Sequence, residues 1–334
     1  MTAPPALVHS LRRAPFSLPF SLPFVLLVAA ALVAGCGDDA DDADAAASTD
    51  RLTVAAAFYP LEEIARGVGG ELVEVVGITP PGQGPHDLEL GGRQVEAIGD
   101  ADVVFLLGRG FQPQVEDAAA QAGDGTTVVD LLDEVELLAV DAQLDGTQGE
   151  VDGEVLEGDV DPHVWLDPGR MIEMVETVVS TMTEVDPDHA EDYRSNADDY
   201  LADLVGLDDE YRDALADCES RVIVTSHRAF GYMAERYDLR QIPIAGISPE
   251  AEPDPRTLEA IADEARAEGV RTIFLEEIAP PDLAETVAAE IGAELSLLDP
   301  IEGLTGEQIE DGTTYAAIMR ENLERLVDGL GCGA

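Results

Sequence analysis

Five histidines occur in 334 residues, and three of them sit in short segments of similar design. They are His86 in Gly84-Pro85-His86-Asp87, His163 in Asp161-Pro162-His163-Val164-Trp165-Leu166-Asp167-Pro168, and His227 in Thr225-Ser226-His227. A carboxylate-bearing segment, Asp299-Pro300-Ile301-Glu302-Gly303-Leu304-Thr305, follows them. Three neutral imidazoles and one carboxylate are a donor set for a tetrahedral divalent ion, zinc ahead of the others. Taken singly, a histidine before a helix is more often a cap or a satisfied polar group. Repeated Pro-His steps, which fix the direction of the backbone, favour a shared centre. Glu276 and Glu277 rival Glu302 for the fourth place; read otherwise, they are solvated acids at a strand end. His9 falls in the N-terminal leader, and His189 lies early in a helix among acidic neighbours, a surface position.

Such donors must be brought together by the fold. Short apolar runs at 52–58, 71–78, 102–107 and 127–132 read as strands, alternating with amphipathic helices at 61–68, 93–98 and 115–122. A second series has strands at 221–225, 241–247, 271–275 and 294–298, with helices at 255–267, 282–291 and 315–330. This alternation predicts α/β lobes, each a mainly parallel sheet flanked by helices. Between the series lies a helix over 170–184, and then a stronger helix start. Asp186 suits a cap, Pro187 suits the first turn, and helical spacing from Tyr193 to Leu215 predicts about 30 residues, roughly 45 Å of helix. The fold expected is two lobes joined by one long rigid helix: 51–168, the connecting segment 169–218, and 219–334. Residues 139–160, dominated by Asp, Glu and Gly, break the first lobe as an acidic surface loop. His86, His227 and Glu302 fall after strands, where parallel sheets gather ligands, so the ion is expected between the lobes.

The composition removes several functions. All 18 basic residues are Arg, so neither a P-loop nor a Schiff-base enzyme can be built. With 70 Asp+Glu and a net charge of -52, the chain is no binder of nucleic acid. The acidity reads first as a solvated surface. A field concentrating cations at the cleft mouth is the sharper reading, reaching only about 8 Å at physiological ionic strength.

The N-terminus reads as a targeting segment. Arg12 and Arg13 precede an apolar stretch from Phe24 to Val33, interrupted upstream by prolines, and Val33-Ala34-Gly35-Cys36 resembles a bacterial lipobox. By that resemblance residues 1–36 are a signal peptide ending at a lipid-modified Cys36, and the acidic, Ala- and Ser-rich stretch 37–50 is a disordered tether at the outer face of a cell membrane. Cys218 and Cys332 form either a disulfide or two free buried thiols.

The segments around His86, His163 and His227, the last continuing Arg228-Ala229-Phe230-Gly231-Tyr232, resemble those of the zinc-specific solute-binding lipoproteins of ABC importers. The tail Pro300-Ile301-Glu302-Gly303-Leu304-Thr305 is similar too, and the likeness covers nearly all of 52–330. It implies a monomer that holds Zn(II) between its lobes through His86, His163 and His227 and delivers it to an ABC permease with its ATPase. Manganese-specific relatives typically place a Glu where His227 stands. At the position of Glu302 some members use a carboxylate and others water. Asp87 and Asp167 are candidates for supporting the ligand imidazoles, or else serve as turn acids or caps. Two departures stand out: the 139–160 loop holds no histidine where zinc members often carry many, and no aromatic residue follows Asp87. Rival functions are a manganese- or iron-binding protein or an adhesin on the same fold, and a zinc hydrolase, whose common His-Glu-x-x-His signature is absent. A long connecting helix resists hinge bending, so release is expected through small movements of the loops carrying His163 and Glu302.

Overall fold

The computed structural model describes residues 51–86, 88–139, 160–249 and 253–333. Eight strands form two four-stranded sheets, parallel throughout. The first contains β1 (Leu52–Ala56), β2 (Val73–Gly77), β3 (Val103–Leu106) and β4 (Thr127–Asp130), in the order β2-β1-β3-β4. The second contains β5 (Val222–Thr225), β6 (Arg240–Pro243), β7 (Thr272–Leu275) and β8 (Glu294–Leu297), in the matching order β6-β5-β7-β8. Each sheet winds outward from a central pair, so loops diverge at the carboxyl ends of β1 and β3 and of β5 and β7. Ligands of open α/β sheets bind at such a switch point. The central strands are apolar nearly throughout; Val103 to Leu106 are all buried, as a sheet covered on both faces requires.

Helices α1 (Tyr59–Gly69), α2 (Gly92–Asp100) and α3 (Pro113–Ala119) serve the first sheet. The chain crosses to the second through α4 (Pro168–Val185) and α5 (Ala190–Ala214). There α6 (Gly231–Arg236), α7 (Pro255–Ala267) and α8 (Asp282–Ile291) fill the crossovers, and α9 (Gly306–Asp311) and α10 (Tyr315–Leu330) close the fold. Starts are chemically defined. Asp167 accepts the Gly169 N–H with Pro168 in the first turn of α4, and Asp254 accepts from Arg256 and Thr257 at α7.

Several boundaries depart from the sequence reading. The long helix is α5 with 25 residues, about 38 Å, preceded by a 3₁₀ turn at Pro187–His189. The Asp186 Oδ2 accepts from His189 Nδ1 at 2.6 Å and the Tyr193 hydroxyl at 2.7 Å, closing the corner between α4 and α5. Strand β6 stops at Pro243 rather than continuing to 247, because its partner β5 ends opposite it at Thr225. The strand expected from residue 71 starts at Val73, after a 3₁₀ turn at Gly70–Leu72. Helices α6 and α9, each of six residues, are too short to show a period.

One apolar core runs through both lobes. Phe58, Phe105, Phe111 and Trp165 of the first share it with Tyr211 of α5, Tyr315 of α10, and Phe274 and Leu298 of the second. A smaller cluster lies under α7 and α8. Buried hydrogen bonds cross the same region: the Tyr315 hydroxyl donates to the Trp165 carbonyl at 2.6 Å, and the Trp165 indole N–H donates to the Pro300 carbonyl at 2.7 Å. Cys218 and Cys332, 114 residues apart, are joined in a disulfide that ties the end of α10 to the approach of β5. Ala139 and Val160 pair across the base of the acidic segment. Residues 140–159, the leader 1–36 with Cys36, the tether 37–50 and Asp87 lie outside the described residues.

Candidate metal centre

Each of the four donors predicted from sequence sits on a loop with a defined origin. His86 follows β2, His163 opens the 3₁₀ turn Val164–Leu166 before α4, His227 follows β5, and Glu302 follows β8. The fold brings all four together, with one donor atom from each within 4.8 Å of every other. Glu302 Oε1 lies 3.2 Å from His86 Nε2, 3.1 Å from His227 Nε2 and 3.5 Å from His163 Nε2. The two Nε2 atoms of His163 and His227 are 3.3 Å apart. Metal–ligand bonds of about 2.0–2.1 Å in a tetrahedron set donors about 3.3–3.4 Å apart. Four of the six donor pairs, at 3.1 to 3.5 Å, have the spacing of a tetrahedral zinc-sized ion, and His86 lies within 4.8 Å of the other two imidazole donors. Calcium is disfavoured by donor chemistry, since it takes about six to eight oxygen ligands and three of these four donors are nitrogen.

The surroundings are enclosed and aromatic. His163 and His227 are fully buried and Glu302 almost so. Phe111 stands edge-on to His86 with ring centroids 5.1 Å apart, and Trp165 lies 5.1 Å from the His163 ring. A cavity of about 80 Å³ opens beside His86 and Glu302, bordered by Pro249, Ile278 and Pro280. In this enclosure charges interact strongly. Burial raises the Glu302 carboxyl, but the charges of His86 and His227 and bonds from His163 and His227 hold it well below the usual carboxylate range. Burial lowers the His227 imidazole, while Glu276 and Glu302 together lift it well above the ordinary histidine range.

The Glu302 loop is held under tension. Ile301, fully buried, has φ 58°, a left-handed conformation that a β-branched side chain disfavours by about 1–2 kcal/mol. Asp299 Oδ1 accepts the Ile301 N–H at 2.7 Å. Asn322 clamps the Asp299 main chain, accepting its N–H at 2.9 Å and donating to its carbonyl at 2.7 Å. Burial pushes the Asp299 carboxyl up to about 6. This loop meets the His86 loop across the cleft. Gly82, with φ 74°, donates its N–H to the Leu304 carbonyl at 2.9 Å, and a Cβ on Gly303 would lie 2.9 Å from the Gln83 carbonyl oxygen.

The remaining sequence candidates fall elsewhere. Glu276 does not join the four donors; its Oε1 is bonded to His227 Nδ1 at 2.7 Å. Glu277 lies outside the cluster as well. The Asp167 carboxylate is occupied by the Gly169 N–H, by Arg170 at 2.6 Å and by Arg236 at 3.1 Å. Sequence reasoning overlooked Asp161, whose Oδ1 lies 2.8 Å from His163 Nδ1; its signal was the Asp-Pro-His step itself.

Two matching α/β lobes about a buried cluster of three histidines and a glutamate define a two-lobed solute-binding protein. The family described as zinc-uptake complex component A, periplasmic, matches residues 54–329, and the chain belongs to that family. It is 33% identical over 305 residues to the high-affinity zinc uptake system protein ZnuA of Bacillus subtilis (strain 168), covering 90% of this chain and 94% of that one. It is likewise 33% identical over 285 residues to the zinc-binding protein AdcA of Streptococcus pyogenes serotype M1, covering 83% of this chain but only 55% of AdcA. The crystal structure of the Zn(II)-bound ZnuA-like domain of Streptococcus pneumoniae AdcA superposes with a TM-score of 0.69 at 30% identity, covering 84% of this chain and 99% of that one. Membership of a family of uptake components makes the chain a binding protein and not an enzyme.

Proposed function

We propose that the protein captures Zn(II) outside the cytoplasm, holds it through His86, His163, His227 and Glu302, and passes it as cargo to an ABC permease driven by its ATPase. The observation that carries this reading is the set of donor spacings, 3.1 to 3.5 Å around Glu302 and between two imidazoles. Nitrogen donors in the majority favour zinc over manganese, which prefers carboxylate and water oxygens. The relatives' names supply the transport context: an uptake system in Bacillus subtilis and zinc-binding proteins in streptococci. Among the described residues no helix is long and apolar enough to cross a membrane. Attachment is assigned to lipid on Cys36, with 37–50 as the tether and the protein acting as a monomer.

The test is metal analysis of purified protein, followed by competition among Zn, Mn, Cu and Ni. One equivalent of zinc is expected, bound more tightly than manganese. His86→Ala, His163→Ala and His227→Ala combined should abolish zinc uptake by the purified molecule, and unchanged stoichiometry in that variant overturns the assignment.

A further inference from the structure

Two buried acids repeat one arrangement, once in each lobe. Asp161 Oδ1 accepts both the main-chain N–H of His163, at 2.9 Å, and its ring Nδ1–H, at 2.8 Å. Glu276 Oε1 accepts both the main-chain N–H of His227, at 3.0 Å, and its ring Nδ1–H, at 2.7 Å. The routes to this arrangement are unrelated. Asp161 reaches its histidine from two residues upstream within one turn, whereas Glu276 comes from the end of β7, beside β5 and 49 residues further along the chain. Both acids are nearly enclosed, at 3% and 5% exposure, and both histidines are fully buried.

A single oxygen shared between the ring and the backbone of one histidine fixes both side-chain torsions. It also fixes the tautomer of the neutral ring, with hydrogen on Nδ1, and leaves Nε2 as the atom for which metal and proton compete. Those two Nε2 atoms are the ones 3.3 Å apart at the centre. Each lobe thus presents one imidazole locked before the ion arrives. The ionised acids also make the rings more electron-rich donors, and with Glu302 they place three enclosed carboxylates around one cation, a charge that a divalent ion offsets.

Resting on the zinc-binding reading above, we infer that Asp161 and Glu276 are a matched pair of positioning residues, which set the affinity of the site for a divalent metal through both the geometry and the charge they impose on His163 and His227.

Two classes of substitution separate these contributions. Asp161→Asn and Glu276→Gln keep an acceptor oxygen and lose the charge; Asp161→Ala and Glu276→Ala lose both. Zinc competition on the full chain should show about a 10-fold weaker affinity for each amide variant and about 100-fold for each alanine variant, the range such partners command. Cobalt(II) loaded in place of zinc reads the geometry. Its tetrahedral visible bands should persist in the amide variants and weaken or shift in the alanine variants. Alanine variants that bind zinc within about twofold of the native protein refute the inference, as does an alanine variant whose cobalt spectrum is unchanged and whose affinity loss is matched by loss of metal-free stability. Because the acids lie in different lobes, either amide variant alone decides the question if an alanine variant does not fold. Native protein that fails to bind zinc would instead refute the functional reading on which the inference rests.

Discussion

Gly303 tests whether the two loop-borne donors act as one clasp. A Cβ at this position would stand 2.9 Å from the Gln83 carbonyl oxygen, across the cleft. Ordinary carbon–oxygen contacts begin at about 3.3 Å, so Gly303→Ala must part the loops by about 0.4 Å. Metal–ligand distances tolerate only about 0.2 Å. Glu302 precedes this residue directly and His86 lies three beyond Gln83, so the displacement falls on the Glu302–His86 side of the centre. We expect zinc affinity to fall about tenfold, or ~1.4 kcal/mol. The metal-free fold should lose a further ~1–3 kcal/mol to overpacking. Gly306→Ala is the control, since nothing lies within 4 Å of its added Cβ. Competition with a chromophoric chelator measures affinity, and melting with and without zinc separates stability from binding. If Gly303→Ala binds zinc within about twofold of both native and control, the loops do not hold the donors jointly.

The disulfide offers a second test: closing 114 residues corresponds to ~4.8 kcal/mol in the chain-entropy account, and about 2–5 kcal/mol is the usual cost of losing such a link. Cys218→Ser with Cys332→Ser should lower the denaturant midpoint accordingly, and an unchanged midpoint contradicts a structural role. Zinc binding should strengthen as pH rises through neutrality, by up to tenfold per pH unit for each proton displaced, because Glu276 and Glu302 outweigh burial and raise the His227 proton affinity in the metal-free fold. The sign is fixed: a raised histidine pKa favours the metal-free protein below about 6.5 and lets the proton compete with the ion up to the raised value. Calorimetry in buffers of different ionisation enthalpy should find proton release at pH 7, and none would refute the shift. Hydrogen exchange should quicken on zinc removal at residues 80–86 and 300–305 while 163–167 stays protected; faster exchange at 163–167 would locate the moving part elsewhere.

Much of this site is legible along the chain because its donors lie in local signatures. Pro-His steps mark two of the imidazoles, Thr225-Ser226 ends a strand just before the third, and the carboxylate follows the last strand of the second sheet. What supports them is less legible, since it depends on neighbours in space. Glu276 can be assigned to His227 only once β5 and β7 are known to be adjacent, a pairing between strands some fifty residues apart. Asp161 hides in a turn where an acid could equally cap a helix, and Asp167, the equally plausible acid four residues past His163, spends its carboxylate on α4 and on Arg170 and Arg236. Ile301 runs against its own propensity. No local rule puts a β-branched residue at φ 58°, and only the Asp299 and Asn322 clamp, assembled from α10 and the β8 loop, holds it there.

The shared core decides how such a protein can release its cargo. A hinge between separately cored lobes opens at small cost, because only their interface is exposed. Here Trp165 and Phe58 lie in the same buried cluster as Tyr211, Phe274 and Tyr315, so a wide rotation would pull apart interior rather than interface. At about 25 cal/mol per Å², exposing even one such aromatic of roughly 150–250 Å² costs about 4–6 kcal/mol. Small loop displacement is therefore the cheaper route, as the long helix led one to expect, but the His163 segment is a poor candidate to move. Its ring and backbone are tied to Asp161, and the adjoining Trp165 is bonded to Pro300 and Tyr315. Across the cleft the His86 and Glu302 loops meet over a glycine contact, one main-chain hydrogen bond and the 3.2 Å approach of His86 Nε2 to Glu302 Oε1, beside the cavity. Release by parting these two loops would open the centre on the cavity side and leave the shared core intact, which is the outcome the hydrogen-exchange comparison tests.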